Sequence, residues 1–198
     1  MNWPKKKIVI VGDSACGKTT LLERFYWVDI LSAAVSCVCR DGTIGVTVDG
    51  QPLELRFFDI ADKGHIDPIR IQAYSGADAI LICFSVDRPE SLENILRKWV
   101  PEVLHFCQGV SYFVLGCKTD LRTEIPTLES LKEHGRKLVT TERGQAIARQ
   151  VGAKMYLECS ATTGDGINLV FELVTRSTLA SAALASEKGK KRSGCRPV

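Results

Sequence analysis

The chain has 198 residues, with 26 Lys and Arg against 23 Asp and Glu, a formal net charge of +3, and 45% hydrophobic residues. These values are ordinary for one globular domain with a tail, and so small a net charge gives no reason to expect a nucleic-acid partner. Few apolar residues precede Gly12 and no apolar run reaches membrane-spanning length, which argues against a signal peptide and a transmembrane helix. We therefore expect an intracellular protein.

The eight cysteines are irregularly spaced, and several lie inside apolar runs, as Cys83 and Cys159 do. This pattern is typical of buried cytosolic thiols and not of a disulfide framework. Cys37 and Cys39 are too close together for the usual zinc pair, and no second Cys/His pair accompanies them. The cysteines therefore predict no metal site.

Short apolar runs alternate with helical patterns along the chain, which predicts an α/β fold with a mostly parallel sheet covered on both faces. The first strand, a loop and a helix occupy about residues 5–26, and residues 27–43 form a loop. The turn Asp49-Gly50 joins two alternating segments, a strong hairpin signal that predicts the one antiparallel strand. The remaining strands are predicted at 79–84, 112–115 and 155–159.

The helices between these strands have recognisable starts. Pro89 lies near the start of a helix that should kink at Pro101, and Thr140 could cap a helix over about 142–151. A charged, exposed helix is predicted over 127–137. An amphipathic helix is predicted from Ile167 onward, because apolar residues recur there at helical spacing.

Residues 12–19, with the sequence GDSACGKT, follow the apolar run 8–11 and precede a helical pattern. In this setting the glycines let the backbone wrap around an anion, with N–H groups and the positive end of the helix facing it. Lys18 supplies a charge for the outer phosphates, and the Thr19 hydroxyl is a ligand for Mg²⁺. This segment therefore predicts a phosphate-binding loop.

Three further segments follow strand ends, where ligands bind in open α/β sheets. Asp59 ends the second hairpin strand and could hold Mg²⁺ through water, opposite Thr19. Residues 116–120 read GCKTD; the carboxylate of Asp120 could accept hydrogen bonds that guanine offers and adenine does not, and the Lys118 stem could lie along the base. Residues 160–162, Ser-Ala-Thr, could direct a backbone N–H at the guanine oxygen.

With these segments the chain resembles the Ras-superfamily small GTPases, and specifically the Rho family, over about residues 5–180. The motifs that carry the likeness are GDSACGKT, FSVD at 84–87, SLENI at 91–95, KW-PEV at 98–103 and ECSA at 158–161. The resemblance implies the P-loop small GTPase fold: a six-stranded, mostly parallel sheet with one antiparallel strand, helices on both faces and a Rho-type insert helix after Arg122. It also implies a monomer that takes GTP or GDP with Mg²⁺ and binds effectors and regulators of Rho type.

The resemblance assigns nucleotide contacts to the positions that match the family motifs. These are Gly12, Asp13, Ser14, Ala15, Cys16, Gly17, Lys18, Thr19, Thr20, Asp59, Cys117, Lys118, Asp120, Leu121, Ser160, Ala161 and Thr162. Thr19 and Asp59 are the implied Mg²⁺ ligands. No residue is assigned a catalytic role, because Lys63 occupies the position of the family's catalytic glutamine.

The chain departs from the family where the terminal phosphate is sensed and cleaved. Ser14 replaces a glycine of the phosphate loop, Asp62 replaces the glycine whose N–H meets the γ-phosphate, and Cys37 replaces the Mg²⁺-binding threonine. Other departures are Ile30, Ala34, Ser36, Cys117 and Thr162. The losses resemble those of Rho proteins of the Rnd type, which bind GTP and barely hydrolyse it.

These features lead to one expected function and leave two alternatives. We expect a Rho-type GTP-binding signalling protein with a working nucleotide cradle and poor GTP hydrolysis. The first alternative is a pseudo-GTPase scaffold with weak or no nucleotide binding, since Asp62, Cys37 and Ile30 all weaken nucleotide contacts. The second is a fully cycling GTPase in which other residues compensate for the altered switches, the two segments around Cys37 and around Asp62 and Lys63 that sense the terminal phosphate.

The sequence predicts a guanine-nucleotide-binding domain over 1–180 and a flexible basic tail over 181–198. The tail ends with a lysine- and arginine-rich cluster and Cys195, four residues from the end, at a lipidation position. A prenyl chain with a basic patch would hold the protein on the cytoplasmic face of the plasma membrane. Arg196 and Pro197 are unfavourable for that motif, so a solvated tail with an inert thiol is the alternative.

Overall fold

The computed structural model describes residues 3–31, 43–60, 68–124 and 137–192. Within these residues six strands form one sheet in the order β2-β3-β1-β4-β5-β6. The strands are β1 (Lys5–Gly12), β2 (Thr43–Val48), β3 (Gln51–Asp59), β4 (Ala79–Ser85), β5 (Ser111–Cys117) and β6 (Tyr156–Glu158). The β2–β3 pair is antiparallel and the other four pairs are parallel, which confirms the predicted sheet.

Helical segments cover both faces of this sheet. They are α1 (Lys18–Leu31), α2 (Pro68–Tyr74), α3 (Pro89–Asn94), a π-helical turn (Ile95–Trp99), α4 (Val100–Phe106), a 3₁₀ turn (Thr119–Arg122), α5 (Thr141–Gln150) and α6 (Ile167–Arg192). Thr140 caps α5 as predicted, since its hydroxyl accepts a hydrogen bond from the Arg143 N–H at 3.3 Å.

Two helices are longer than predicted. Helix α1 ends at Leu31, although a loop was expected from residue 27, because residues 27–31 contain no glycine or proline to stop it. Helix α6 reaches Arg192, beyond the residue 181 at which a flexible tail was expected. Residues 181–192, mostly Ala, Ser, Glu and Lys, show no apolar period, but these residue types are compatible with a helix. The division into a domain and a tail stays a prediction.

The central strand β1 explains why the strand sequences are continuously apolar. Ile8 and Ile10 belong to the core cluster on the α1 and α6 face, whereas Val9 and Val11 belong to the cluster on the other face. All four side chains are fully buried. Because successive side chains of a strand point to opposite faces, a strand that is covered on both sides needs apolar residues at every position.

Aromatic side chains fill the two layers between the sheet and the helices. On the α1 and α6 face, the rings of Phe25 and Phe171 lie 3.9 Å apart between centroids. On the opposite face, Trp99 is fully buried among strand and helix residues. Trp99 therefore belongs to the core, as the sequence predicts.

The hairpin between β2 and β3 has the predicted turn. Asp49 and Gly50 both have positive φ, 51° and 75°, as a two-residue hairpin turn of the favoured hand requires. The register pairs Val48 with Gln51 and places Asp59 at the end of β3, next to Ile10 of β1. The hairpin thereby positions one of the predicted Mg²⁺ ligands.

Next to Pro101, where a kink was expected, the helix contains a π-helical turn. Pro101 has no N–H to donate to the carbonyl four residues earlier, and its ring would clash with that carbonyl in a regular helix. The chain instead widens over Ile95–Trp99, and the Val100 N–H bonds to the Ile95 carbonyl, five residues back. The helix then continues as α4.

Several predicted features lie outside the described residues. These are the insert helix apart from residue 137, the first-switch positions Ala34, Ser36 and Cys37, the second-switch positions Asp62 and Lys63, the Ile30 side chain, and the lipidation site Cys195. None of the described helices combines the length and the apolar character that crossing a membrane requires.

Candidate functional site

The loop between β1 and α1 has a backbone that requires its glycines. Gly12 and Gly17 have φ of 144° and 100°, and Ala15 has a φ of 59°. A Cβ atom on Gly12 would lie 2.2 Å from the carbonyl oxygen of Cys83 on the neighbouring strand β4. The loop therefore curls tightly over the end of the sheet, as an anion-binding loop must.

Lys18 lies inside this loop. Its ammonium group donates hydrogen bonds to the carbonyl oxygens of Gly12 and Asp13, at 2.8 and 2.7 Å, and lies 3.8 Å from the Cys16 sulfur. The side chain is buried, and two neutral carbonyl groups do not neutralise a buried cation. An anion in the loop would supply the missing negative charge, so the arrangement suits a phosphate.

Thr19 and Asp59 meet beside the loop. The Thr19 hydroxyl donates a hydrogen bond to the Asp59 carboxylate, and both residues are exposed. A hydroxyl and a carboxylate are hard oxygen ligands of the kind that Mg²⁺ prefers, so these residues fit the ion. Elsewhere in the described residues no three His, Cys, Asp or Glu side chains group as a metal site. The other ligands would then come from phosphate and water, as is usual for Mg²⁺.

A cavity of about 110 Å³ lies next to the phosphate loop. Its lining comes from the loop and α1, from the end of β5 and from the segment after β6: Gly17, Thr20, Leu21, Cys117, Lys118, Cys159, Ala161 and Thr162. The three separate sequence segments therefore meet around one space, at the carboxyl edge of the sheet. This is where ligands bind in open α/β sheets.

Asp120, two residues after the cavity residue Lys118, is held by the segment after β6. The Ser160 hydroxyl donates to its carboxylate at 2.5 Å, and the Thr163 N–H donates to the same hydroxyl at 3.1 Å. The Thr119 N–H bonds to the Cys159 carbonyl at 3.3 Å and ties the two loops together. A carboxylate held in this way can accept two parallel N–H hydrogen bonds from a ligand.

Lys118 connects this loop to the phosphate loop. Its backbone is in the left-handed region, with φ of 62°. Its stem carbons lie 3.9 Å from where a Cβ on Gly17 would be, and its ammonium group lies 3.8 Å from Asp87. The Leu121 N–H donates to the Lys118 carbonyl at 3.1 Å. Lys118 therefore forms part of the cavity wall; that its stem lies along a base stays a prediction.

The cysteines near the site are buried and free. Cys16, Cys83, Cys117 and Cys159 all lie in the core cluster on the α1 and α6 face. Burial raises the pKa of the Cys16 thiol to about 12. A hydrogen bond with Cys117, together with burial, raises the pKa of Cys159. Protonated, buried thiols are poor nucleophiles and poor metal ligands, so Cys16 and Cys159 act here as packing groups.

The structure adds residues that the sequence did not indicate. The Asp13 carboxylate accepts hydrogen bonds from the Asn94 amide at 2.7 Å and from the Trp99 indole N–H at 2.8 Å. The Arg70 guanidinium lies 5.5 Å from the Trp99 ring and pairs with Glu102 at 2.7 Å. No local motif signals these contacts, because each joins distant parts of the chain.

Comparisons with known proteins agree with this geometry. A family model described as the Ras family matches residues 7–180. The chain is 45% identical over 187 residues to GTP-binding protein RHO1 of Saccharomyces cerevisiae, covering 94% of this chain and 90% of the relative. It is also 45% identical over 191 residues to RHO1 of Candida albicans (96% and 94%), and 43% over 192 residues to rho5 of Schizosaccharomyces pombe (96% and 96%).

Proposed function

Because the chain belongs to the Rho family of small GTPases, we propose that it binds GTP and GDP with Mg²⁺ and acts in signalling while hydrolysing GTP poorly. The observation that carries this proposal is the shared cavity. The phosphate loop, the Lys118–Asp120 segment and the segment after β6 line or adjoin one space of about 110 Å³. A nucleotide that spans the cavity and the loop would contact all three.

The base selectivity rests on Asp120. Its carboxylate can accept from the ring N–H and the exocyclic amine of guanine, a pair of donors that adenine does not present at that edge. The 2.5 Å hydrogen bond from Ser160 orients the carboxylate for this task. Lys118 contributes an apolar stem against the base.

Poor hydrolysis is inferred from the sequence of the switches. Lys63 cannot accept a hydrogen bond from an attacking water as a glutamine does, and Asp62 would bring a negative charge next to the γ-phosphate. Cys37 is a soft ligand for a hard cation. All three losses concern the terminal phosphate. The cradle for the base and the inner phosphates is largely present, because Gly12, Gly17, Lys18, Thr19, Asp59, Lys118 and Asp120 remain.

The competing proposal is a pseudo-GTPase that acts as an interaction scaffold. It is supported by the substitutions Asp62, Cys37 and Ile30, which would weaken the binding of Mg²⁺ and GTP. The two proposals differ in the nucleotide content of the native protein. In either case we expect a monomer with protein partners of Rho type. Because the first switch is altered, these partners need not be the usual Rho effectors.

Nucleotide extraction tests the proposal. Protein purified in Mg²⁺ is denatured, and the released nucleotide is identified by chromatography, with the Lys18→Met variant as a control that lacks the loop cation. Bound GTP supports the proposed function, and bound GDP indicates a cycling GTPase. Empty protein that also gives no calorimetric heat with GTP or GDP would contradict the proposal and favour the scaffold.

We further propose attachment to the cytoplasmic face of the plasma membrane. The basic residues near the end of the chain would attract an anionic leaflet, and a prenyl group on Cys195 would add the second signal that stable attachment needs. The intact mass of protein from its native cell tests this. A mass equal to that of the unmodified chain would remove the lipid anchor from the proposal.

A further inference from the structure

Arg88 stands at the start of α3 with its backbone fixed. Its N–H donates to the Ser85 carbonyl at 3.0 Å. Its own carbonyl accepts from the backbone N–H and the hydroxyl of Ser91, at 2.9 and 2.6 Å. Pro89 follows and restricts the Arg88 backbone further. The side chain therefore starts from a well-defined point in the loop after β4.

From this point the guanidinium group reaches the phosphate loop. Arg88 Nη1 donates a hydrogen bond to the Ser14 carbonyl oxygen at 2.7 Å, across 74 residues of sequence. A charged donor at this distance makes a strong hydrogen bond. Arg88 is half-buried and Ser14 is exposed, so the hydrogen bond lies at the protein surface.

The carbonyl that Arg88 holds belongs to a strained peptide. The Ser14 C=O and the Ala15 N–H share one planar trans peptide unit, so the two groups point in opposite directions. Ala15 has a φ of 59°, a conformation that residues other than glycine rarely adopt. An external contact that selects this orientation of the peptide is therefore expected to matter.

Neighbouring peptides of the loop are held by a different cation. The carbonyl groups of Gly12 and Asp13 accept from Lys18, inside the loop. The Ser14 carbonyl accepts from Arg88, which comes from another element. Two cations thus hold three successive carbonyl groups, and a change of partner at Ser14 would reverse the direction of the Ala15 N–H.

We propose that Arg88 is a positioning residue of the phosphate loop: by holding the Ser14 carbonyl, it keeps the Ala15 N–H directed at the phosphates of a bound guanine nucleotide. The proposal rests on the nucleotide binding proposed above. It assigns to Arg88 an effect on phosphate binding through the loop backbone, without contact between Arg88 and the nucleotide.

The test compares Arg88→Met, Arg88→Lys and Arg97→Met with the wild-type protein. Arg97 is a matched control, since it lies on the adjoining helical turn, its side chain is 77% exposed and its ion pair is to Glu93. Arg88→Met and Arg97→Met remove the same charge, but only the first removes a hydrogen bond to the loop. Release of a fluorescent GDP analogue is followed in Mg²⁺, and thermal unfolding checks that each variant is folded.

We expect Arg88→Met to release GDP about ten-fold faster than wild type, the effect of one charged hydrogen bond. Arg88→Lys keeps a charged donor and should recover most of this loss, while Arg97→Met should release GDP at the wild-type rate. The ³¹P resonance of the β-phosphate of bound GDP should shift in Arg88→Met and not in Arg97→Met, a change that a loss of stability alone would not produce.

Equal release rates for Arg88→Met and wild type would overturn the proposal. So would equal acceleration in Arg88→Met and Arg97→Met, since net charge would then explain the effect. If Arg88→Met does not fold, Arg88→Gln, which keeps only a neutral N–H donor, takes its place in the comparison with wild type and Arg97→Met. A wild-type protein that binds no nucleotide would overturn both this inference and the proposed function, whereas binding with an inert Arg88 would overturn the inference alone.

Discussion

The indole N–H of Trp99 donates a hydrogen bond of 2.8 Å to the Asp13 carboxylate, although the two residues are 86 positions apart. Both side chains are buried. Asp13 carries the only carboxylate of the phosphate loop, and this contact turns it toward the helical layer. The negative charge of the carboxylate, which would repel a bound phosphate, is thereby directed away from the loop. Loop and helical layer are thereby joined.

Replacing Trp99 tests this connection. Trp99→Phe keeps an aromatic ring but leaves a buried carboxylate with one donor fewer, so we expect the free energy of unfolding to fall by about 1–3 kcal/mol. Asp13→Ala and the double variant complete a mutant cycle measured by urea unfolding. A coupling energy near zero would show that the indole N–H does not stabilise the carboxylate.

Gly144→Ala should destabilise the protein. Alanine normally stabilises a helix relative to glycine by up to about 1 kcal/mol. Here a Cβ would lie 2.3 Å from the hydroxyl oxygen and 2.4 Å from a ring carbon of Tyr156, so overpacking should cost about 1–3 kcal/mol. Chemical unfolding of Gly144→Ala beside Gln145→Ala, an exposed change in α5, measures the difference. A stabilised Gly144→Ala variant would contradict the packing of Tyr156 on this helix.

Stability should fall in acid partly through Glu158. Burial raises the pKa of this carboxyl, but hydrogen bonds from Arg122 and Tyr156 outweigh burial, so the pKa is lower than usual. Arg122 donates to both carboxylate oxygens, at 2.8 and 2.6 Å. Because the pKa of Glu158 is lower in the folded than in the unfolded protein, the ionised carboxylate stabilises the fold. This stabilisation is complete above about pH 4.3, the pKa of a glutamate in an unfolded chain, and is lost as the pH falls below that value.

The measurement is the free energy of unfolding of wild type and Glu158→Gln between pH 7 and pH 3. Glu158→Gln should be less stable at neutral pH and should lose less stability on acidification. Glu93→Gln serves as a control, because that carboxylate is more exposed and its arginine partners lie 3.3 and 3.8 Å away. Identical pH profiles for Glu158→Gln and wild type would contradict the assignment.

Ser160→Ala should weaken guanine binding selectively. The variant removes the donor that orients Asp120 at 2.5 Å, so the dissociation constant for GDP should rise about ten-fold. The preference for GDP over IDP, which lacks the exocyclic amine, should also decrease. Ser181→Ala removes a comparable hydroxyl in α6 and should change neither value. An unchanged GDP/IDP ratio in Ser160→Ala would argue against base recognition by Asp120.

GTP hydrolysis should be slower than the roughly 10⁻⁴ s⁻¹ of an unassisted small GTPase, and an activating protein should help little. A single-turnover assay measures the rate. The triple variant Cys37→Thr, Asp62→Gly and Lys63→Gln should then regain hydrolysis if the switch substitutions are the cause. Ordinary hydrolysis by the wild-type chain would refute the proposed defect.

Local sequence signals predicted the strands and the hairpin because each depends on residues close together in the chain. The turn at Asp49-Gly50 and the cap at Thr140 are examples, since their conformations follow from one or two side chains. The ends of α1 and α6 were not predicted, because a helix can continue without an apolar period, and in α6 it continues through Gly189.

The supporting contacts of the site could not be predicted in the same way. Trp99 has the spacing of a core residue, and nothing near it indicates that its N–H reaches Asp13. Arg88 reads as an ordinary charged residue before a helix, yet it meets the Ser14 carbonyl. Such contacts depend on how β4 and β1 are placed side by side, which is a property of the folded sheet.

The π-helical turn before Pro101 holds one more residue than an α-helical turn would. Removing a residue between Ile95 and Trp99 could let this stretch wind evenly, but everything after the deletion would swing about 100° around the helix axis. The indole and the α4 side chains would then face new directions. This stretch should therefore resist any change in its length.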